Sequence, residues 1–461
     1  MTEPAFDDKR FEAALQTVLA GEKHDYPAYI GGLKVASGTS FLCSSPVDSA
    51  IIFGTFQEPE PGTMKEACEA ADRAFPAWSA AASEVRAQIV NAVADAVNAR
   101  RYELAAEVLI ASGLPRRAAL AETDRLVAVL RQAAQDALQV PGKAMGVWAV
   151  IATYSSPLAS PMGYAGAAIA AGNTVVLRAD KHCPTPVFAV YQLFVAAGLP
   201  DGVLNVIMDR NDRSAEDLAS DPLTAGIVAS GTGKIMEDLM FLQVDEDVGF
   251  INEIKGMNPA IVAKPLDVKK AATDVLMSAF TTAGQGLYAC SKVIVLAEDE
   301  QAFTKALVEQ VKDFTVDDPA DATTVMGPLI SPEAGAAFIK INEDRRGAQL
   351  YGGKKVVREF TANGVYYSPA IMTGLSDDDD LMYMDSGLPV LAVKVVADAK
   401  DALAELDDTE CGLSAGLFTR DASITDRFKK ALANTDLQLY VNCSSMTLPV
   451  AAKALVENFR R

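Results

Sequence analysis

The chain has 461 residues, of which 50% are hydrophobic and 22% charged, with a formal net charge of −20. That length buries a large core and suits two or three domains, and the composition excludes a disordered chain. The acidic balance excludes nucleic-acid binding, which demands basic surface, and would repel anionic lipid, so it reads as a solvated acidic exterior.

The first residues, MTEPAFDDKRFEAAL, carry no basic stretch followed by an apolar core, so no signal peptide is expected there. From 63 to 138 apolar residues recur at helical spacing, through Ala67, Ala71 and Phe75, then Ile89, Val93 and Val97, then Leu126, Val129 and Leu130. This predicts amphipathic helices broken at Pro76, Gly113 and Pro115. The texture then changes. Residues 147–153 (VWAVIAT) read as a strand buried on both faces of a parallel sheet, followed by a small-residue helix over 162–171 and a strand at 174–177. The richest apolar stretch, 162–171, is too short to span a membrane.

A helix over 187–197 ended by Gly198, a strand at 203–208 and another at 226–229 continue the alternation. This is the doubly wound α/β pattern, which binds ligands beyond the C-terminal ends of its strands. A second α/β block begins near Gly256, with strands at 260–263, 293–297 and 391–396, and the acidic run 377–380 reads as a solvated loop tip. The expected organisation is a cofactor-binding-type, Rossmann-like domain over 1–255, a catalytic-type α/β domain over 256–446, and a tail over 447–461.

Six cysteines, Cys43, Cys68, Cys183, Cys290, Cys411 and Cys443, lie far apart without a C-x-x-C pair, as expected of reduced cytoplasmic thiols. The two histidines, His24 and His182, give a metal site or a histidine-based triad little to draw on, and no metal is expected.

Seven segments in register resemble the aldehyde dehydrogenase superfamily over roughly residues 29–442. They are AADRAFPAW ending at Trp78, AGNTVVLR (171–178), AAGLPDGVLNVI (196–207), NEIKGMNP (252–259), FTTAGQGLYACSK (280–292), MGPLIS (326–331) and CGLSAGLFTRD (411–421). The ACSK at 289–292 and an early IGGL are similar to the 1-pyrroline-5-carboxylate dehydrogenase branch.

The resemblance implies a thiolate that attacks an aldehyde, hydride transfer to NAD(P), and a carboxylate that activates water against the thioester. It also implies where each group stands. The nucleophile belongs two residues after Gln285, and that residue is Leu287, which has no lone pair to donate. Cys290, three residues on, is read as a packed structural thiol in preference to a relocated nucleophile. The oxyanion-donating asparagine position is Ser155, beside Tyr154 on the cofactor side; losing such a donor costs about 3–4 kcal/mol of barrier. Glu253 matches the general base, with Lys255 in place of a glycine and expected to form an ion pair beside it.

The adenosine-ribose grip becomes Arg178 and Lys181, a pair suited to a 2′-phosphate. The small-residue turn at 228–234, with Gly231 and Lys234, retains an anion-binding character. On the nicotinamide side the expected glutamate is Asp385 and the aromatic wall is Gly387. Two oligomerisation elements are expected to be missing: a hairpin, replaced by 139–145, and the strand after Asn442. The tail should cover the sheet edges instead, with Ala451, Leu455 and Phe459 on one face of a short helix.

These departures point to an aldehyde-dehydrogenase-fold protein without the catalytic cysteine, with weak NAD(P) binding and a binding, regulatory or scaffolding role for a small molecule or protein partner. The family-type tetramer is not expected. Two alternatives stay open: an NAD(P)-dependent aldehyde or semialdehyde oxidoreductase with a rearranged site using Glu253 and Cys290, and a non-redox pocket that needs no thiol.

Overall fold

The apolar run at 147–153 forms the strand Val147–Ala152, and all its residues are buried. It takes the middle of a sheet, flanked in parallel by Thr174–Arg178 and by Thr224–Gly231. Its burial on both faces explains the absence of polar alternation in the sequence. The computed structural model describes residues 6–21, 24–210, 213–242, 247–408, 412–449, 451 and 453–461. The opening segment 1–5 and Cys411 lie outside the described residues.

Among these residues the chain builds two seven-stranded sheets and a small three-stranded one. In the first large sheet Gly249–Ile254, Thr224–Gly231, Val147–Ala152, Thr174–Arg178 and Leu204–Ile207 run parallel, and the antiparallel pair Ala28–Ile30 and Leu33–Val35 closes one side. The second has Ala260–Val262, Lys292–Leu296, Val390–Val396, Ala370–Thr373, Ser414–Phe418 and Gln438–Val441 in parallel, with Gln349–Gly352 antiparallel at one edge. The doubly wound α/β reading therefore holds for both halves of the chain. The short strand Leu33–Val35 is mostly exposed and left no apolar signature to read.

One local expectation is corrected. Pro76 lies inside the helix Thr63–Ala80 and does not end it. The carbonyl it deprives of a partner belongs to exposed Asp72, where water can serve, while Trp78 beyond it is buried and donates its indole N–H to Ile169 O at 3.1 Å. The acidic run 377–380 is the solvated turn expected: Asp377, Asp378 and Asp380 are exposed, Asp377 pairs with Lys394, and Asp379 accepts from Arg345 Nε at 2.8 Å.

The tail is corrected as well. Its described residues form no α-helix; Val456–Phe459 is a 3₁₀ turn, and Val456 and Phe459 are fully buried while Leu455 is only half-buried. Phe459 packs edge-on against Trp148 with ring centres 4.5 Å apart. The tail's hydrogen bonds run to Lys143, Ala171 and Asn173, so it secures the segment before Val147, and among the described residues no strand pairs with the outer side of Gly249–Ile254.

One polar side chain ties the second sheet to the loop that follows Gln285. Asn258, fully buried at φ +48°, donates to Leu287 O (2.8 Å) and Ala289 O (3.2 Å) and accepts from Leu413 N and Ser414 N. Asparagine tolerates this left-handed backbone better than most residues. Asn258→Ala strands four buried backbone groups, and is expected to lower stability by on the order of 3 kcal/mol. Urea unfolding followed by tryptophan fluorescence checks this; an unchanged midpoint would contradict it.

Candidate functional site

Parallel strands point their C-terminal ends the same way, and several of the residues singled out from the sequence stand at those ends. Thr153, Tyr154 and Ser155 follow Val147–Ala152, Arg178 ends its strand, Gly231 ends Thr224–Gly231, and Glu253 stands at the penultimate position of Gly249–Ile254. Gly231, at φ +139°, has no room for a side chain, because a Cβ would lie 2.0 Å from Thr153 Oγ1. That close approach lets Thr153 Oγ1 accept from Thr232 N at 3.1 Å and locks the two strand ends together.

Leu287 and Ser155 line the same cavity, as their matched positions imply. Its volume is only about 30 Å³, room for roughly one water, whereas small-molecule sites run to several hundred. Leu287 is 2% exposed and presents only hydrocarbon where the resemblance implies a nucleophile. Arg125 and Met446 close another side, with Arg125 Nη2 donating to Met446 O at 2.9 Å. Cys290 is not part of this lining. Its Sγ approaches Lys292 O at 3.3 Å, and burial pushes the thiol up to about 12. The structure thus does not bring Cys290 to Ser155 and Leu287.

Glu253 is 1% exposed, and burial raises its pKa. The hydroxyls of Ser230 (2.7 Å) and Ser160 (3.0 Å) donate to Oε2, and the Tyr288 hydroxyl lies 3.5 Å from Oε1. These donors soften the cost of the buried carboxyl. Lys255 does not pair with Glu253, correcting the expectation. Its ammonium meets Asp385, and both side chains are almost wholly enclosed, at 0% and 5% exposure. Gly387 N also donates to Asp385 Oδ2 at 3.1 Å.

A dinucleotide does not fit the residues present in the manner the resemblance implies. Arg178 is 1% exposed and turns inward, with Nε donating to Asp209 Oδ1 at 3.1 Å and Ser214 Oγ at 3.3 Å, so it is not presented to a ribose. Lys181 Nζ donates to the Arg210 carbonyl at 2.9 Å, and Lys234 pairs with Asp238 on its own short helix. On the nicotinamide side Lys255 holds the carboxylate that should receive ribose hydroxyls. Asp385 Oδ1 and the Ser386 hydroxyl are buried there without a hydrogen-bond partner. Tyr154 packs edge-on against His182 at 5.4 Å, and its N–H donates to Asp180. Among the described residues no group of three His, Cys, Asp or Glu side chains could hold a metal.

Sequence reasoning missed the partners. Glu122 is the clearest case: its Oε2 accepts from Ser156 Oγ, Leu158 N and Ala159 N, capping the helix Ala159–Ala171, and Arg125 neutralises it at 3.3 Å. A glutamate inside an apolar helical stripe was the available signal. Asp209 and the two serines on Glu253 carried none.

The buried ion pair can be dissected. Lys255→Met should destabilise by about 3–5 kcal/mol, because it leaves Asp385 enclosed without a counter-charge. Lys255→Met combined with Asp385→Asn should recover most of that loss. A double-mutant cycle in urea decides, and additive losses would show that the pair is not coupled.

Comparison with known proteins identifies the family. The family model described as "Aldehyde dehydrogenase family" matches residues 34–452. The 1-pyrroline-5-carboxylate dehydrogenase of Geobacillus sp. (strain WCH70) is 27% identical over 464 residues, covering 95% of this chain and 88% of the relative. The alpha-ketoglutaric semialdehyde dehydrogenase of Bacillus subtilis (strain 168) is 27% identical over 421 residues, covering 87% of this chain and 86% of the relative. The R100A mutant of Thermus thermophilus 1-pyrroline-5-carboxylate dehydrogenase superimposes with a TM-score of 0.89 at 22% identity, over 100% of this chain and 98% of that one. A further Thermus structure of that enzyme, with bound NAD, has the same TM-score and identity over the same shares of the two chains. With the family model matching residues 34–452, this chain belongs to the aldehyde dehydrogenase family.

Proposed function

We propose that this protein is a member of the aldehyde dehydrogenase family that does not oxidise aldehydes through a thiol and serves instead as a binding or regulatory protein. The observation that carries the reading is Leu287, buried in the cavity it shares with Ser155. Covalent catalysis needs a lone pair at that point, aimed at both the oxyanion donors and the hydride acceptor. Leucine offers none, and Cys290 faces the Lys292 carbonyl with its thiol held protonated by burial. The Lys255–Asp385 pair further supports weak dinucleotide binding. The segment between the helix Arg116–Gln139 and Val147 holds no hairpin, which favours an assembly other than the family tetramer.

The competing reading is an active NAD(P)-dependent semialdehyde oxidoreductase, and the names of the relatives favour it. Titration of the purified protein with NAD(H), NADP(H) and an aldehyde panel separates the two. No aldehyde-dependent NAD(P)H formation is expected. Turnover by wild type that disappears in Cys290→Ser would establish an enzyme with a moved nucleophile.

Cys290 should also alkylate with iodoacetamide far more slowly in the folded protein than in urea at the same pH, since only the thiolate attacks. Leu287→Cys alone should restore at most slow ester hydrolysis. Adding Ser155→Asn should improve on it if the two positions still face one reacting carbon, and burst kinetics with an activated ester read the difference.

A further inference from the structure

A second and much larger cavity, about 680 Å³, lies away from Leu287. The end of the helix Asp8–Ala20, the three-stranded sheet and the helices Arg101–Ser112 and Thr185–Ala196 enclose it. Its size is that of a small-molecule site, and nothing in the family resemblance assigns it a role. Aromatic rings form much of the wall, including Tyr26, Tyr29, Phe53 and Phe188. They are held firmly. Tyr26 stacks on Phe56 at 4.6 Å and leans on Phe188 at 5.2 Å, and Tyr29 leans on Tyr191 at 4.5 Å.

Three charged groups share the cavity, Arg100, Glu103 and Glu107. The first two satisfy each other: Arg100 Nε donates to Glu103 Oε2 at 3.0 Å, and Nη2 reaches the other oxygen. Glu107, one helical turn further, has no hydrogen-bond or ion-pair partner among the described residues. Burial pushes its carboxyl up to about 8, with Arg100 opposing and Glu103 adding. Across the cavity Tyr26 is pushed up to about 12, first by burial and then by Glu107, which places the two groups within electrostatic reach. His24 and Tyr29 are the other titratable groups in the lining. The helices Asp8–Ala20 and Thr185–Ala196 contribute only uncharged side chains to it, and Ser83–Ala99 and Arg116–Gln139 contribute none.

We propose that this cavity binds an organic monocation, an ammonium on an apolar or aromatic body, with its charge against Glu107 and its body against Tyr26, Tyr29 and Phe188. An unpaired carboxylate beside ring faces is the chemistry that recognises such a ligand. The net charge of −20 favours its approach.

The pH dependence follows from Glu107. Below about 8 the empty site holds the carboxyl protonated, and a bound cation drives the proton off. Affinity should therefore rise about tenfold per pH unit on approaching that value and level off above it. The stability sign is the reverse of a salt-bridged carboxylate. A raised carboxyl contributes stability at low pH that is lost as pH climbs through about 8, and a bound cation restores it.

Calorimetry with three probes of one shape tests the proposal: phenethylammonium, 2-phenylethanol and phenylacetate. At pH 8 the ammonium should bind at least about tenfold more tightly than the alcohol, and phenylacetate should not bind. At pH 6.5, titrations in two buffers of different ionisation enthalpy should show close to one proton released per cation. Glu107→Gln should erase the preference for the ammonium and the proton release. The alcohol binding as well as the ammonium, an unchanged cation affinity in Glu107→Gln, or no saturable binding would each overturn it. The wild-type proton release stands as a test that needs no variant to fold.

Discussion

The Lys255 ammonium and the Asp385 carboxylate meet where the two large sheets come together, and almost no water reaches either side chain. Removing two charges from water costs several kcal/mol each, so each is tolerable only while the other stays. That mutual dependence fixes the chain on both sides. Lys255 N donates to the Gly231 carbonyl at 2.7 Å, tying the ammonium to the end of Thr224–Gly231. Asp385 holds the turn at Gly387, where a side chain would come within 3.4 Å of Thr232 Oγ1. The next residue, Leu388, leaves no room for a Cβ on Gly284 of the loop carrying Leu287, so one ion pair organises three segments of the crevice.

The other polar groups at the strand ends follow the same pattern, each turned to a partner inside the protein. Arg178 faces Asp209, Glu253 faces Ser160 and Ser230, and Glu122 caps a helix. A group that must meet a substrate is useful when its protein contacts are few and its charge is exposed to the reacting atoms. Here the contacts are many, and recruiting any of these side chains would break a buried hydrogen bond.

The fold was legible because burial imposes periodicity. Val147–Ala152 is enclosed on both faces and Thr63–Ala80 on one, and each left its pattern in the chain. Leu33–Val35 packs too little to leave any. In the site, Leu287 and Ser155 were legible from adjacent residues and do line one cavity. What was not legible is pairing across long sequence separation. No local rule says that Lys255 chooses Asp385 over the nearby Glu253, or that Arg178 turns to Asp209. Those choices depend on which side chains share an enclosed volume, and only tertiary packing decides that. The tail shows the same limit: Ala451 and Phe459 are buried as their spacing suggested, yet Val456–Phe459 is a 3₁₀ turn.

Enclosed carboxyl groups offer a comparison internal to the molecule. Asp385 has an ammonium, Glu122 has a helix N-terminus and Arg125, Glu253 has hydroxyls, and Asp180 has His182, which holds it near 2 despite burial. Glu107 has only the remote field of Arg100, whose guanidinium already forks onto Glu103. A core position gains nothing from such a carboxyl, since a glutamine or a methionine would fill the same volume without the desolvation penalty. An uncompensated acid is tolerable on the wall of a cavity in a way it is not in packed core, because a ligand can supply the missing charge. The contrast between four matched groups and Glu107 among the described residues, rather than any acidity of Glu107 alone, marks the larger cavity as a place where an outside molecule has something to complete.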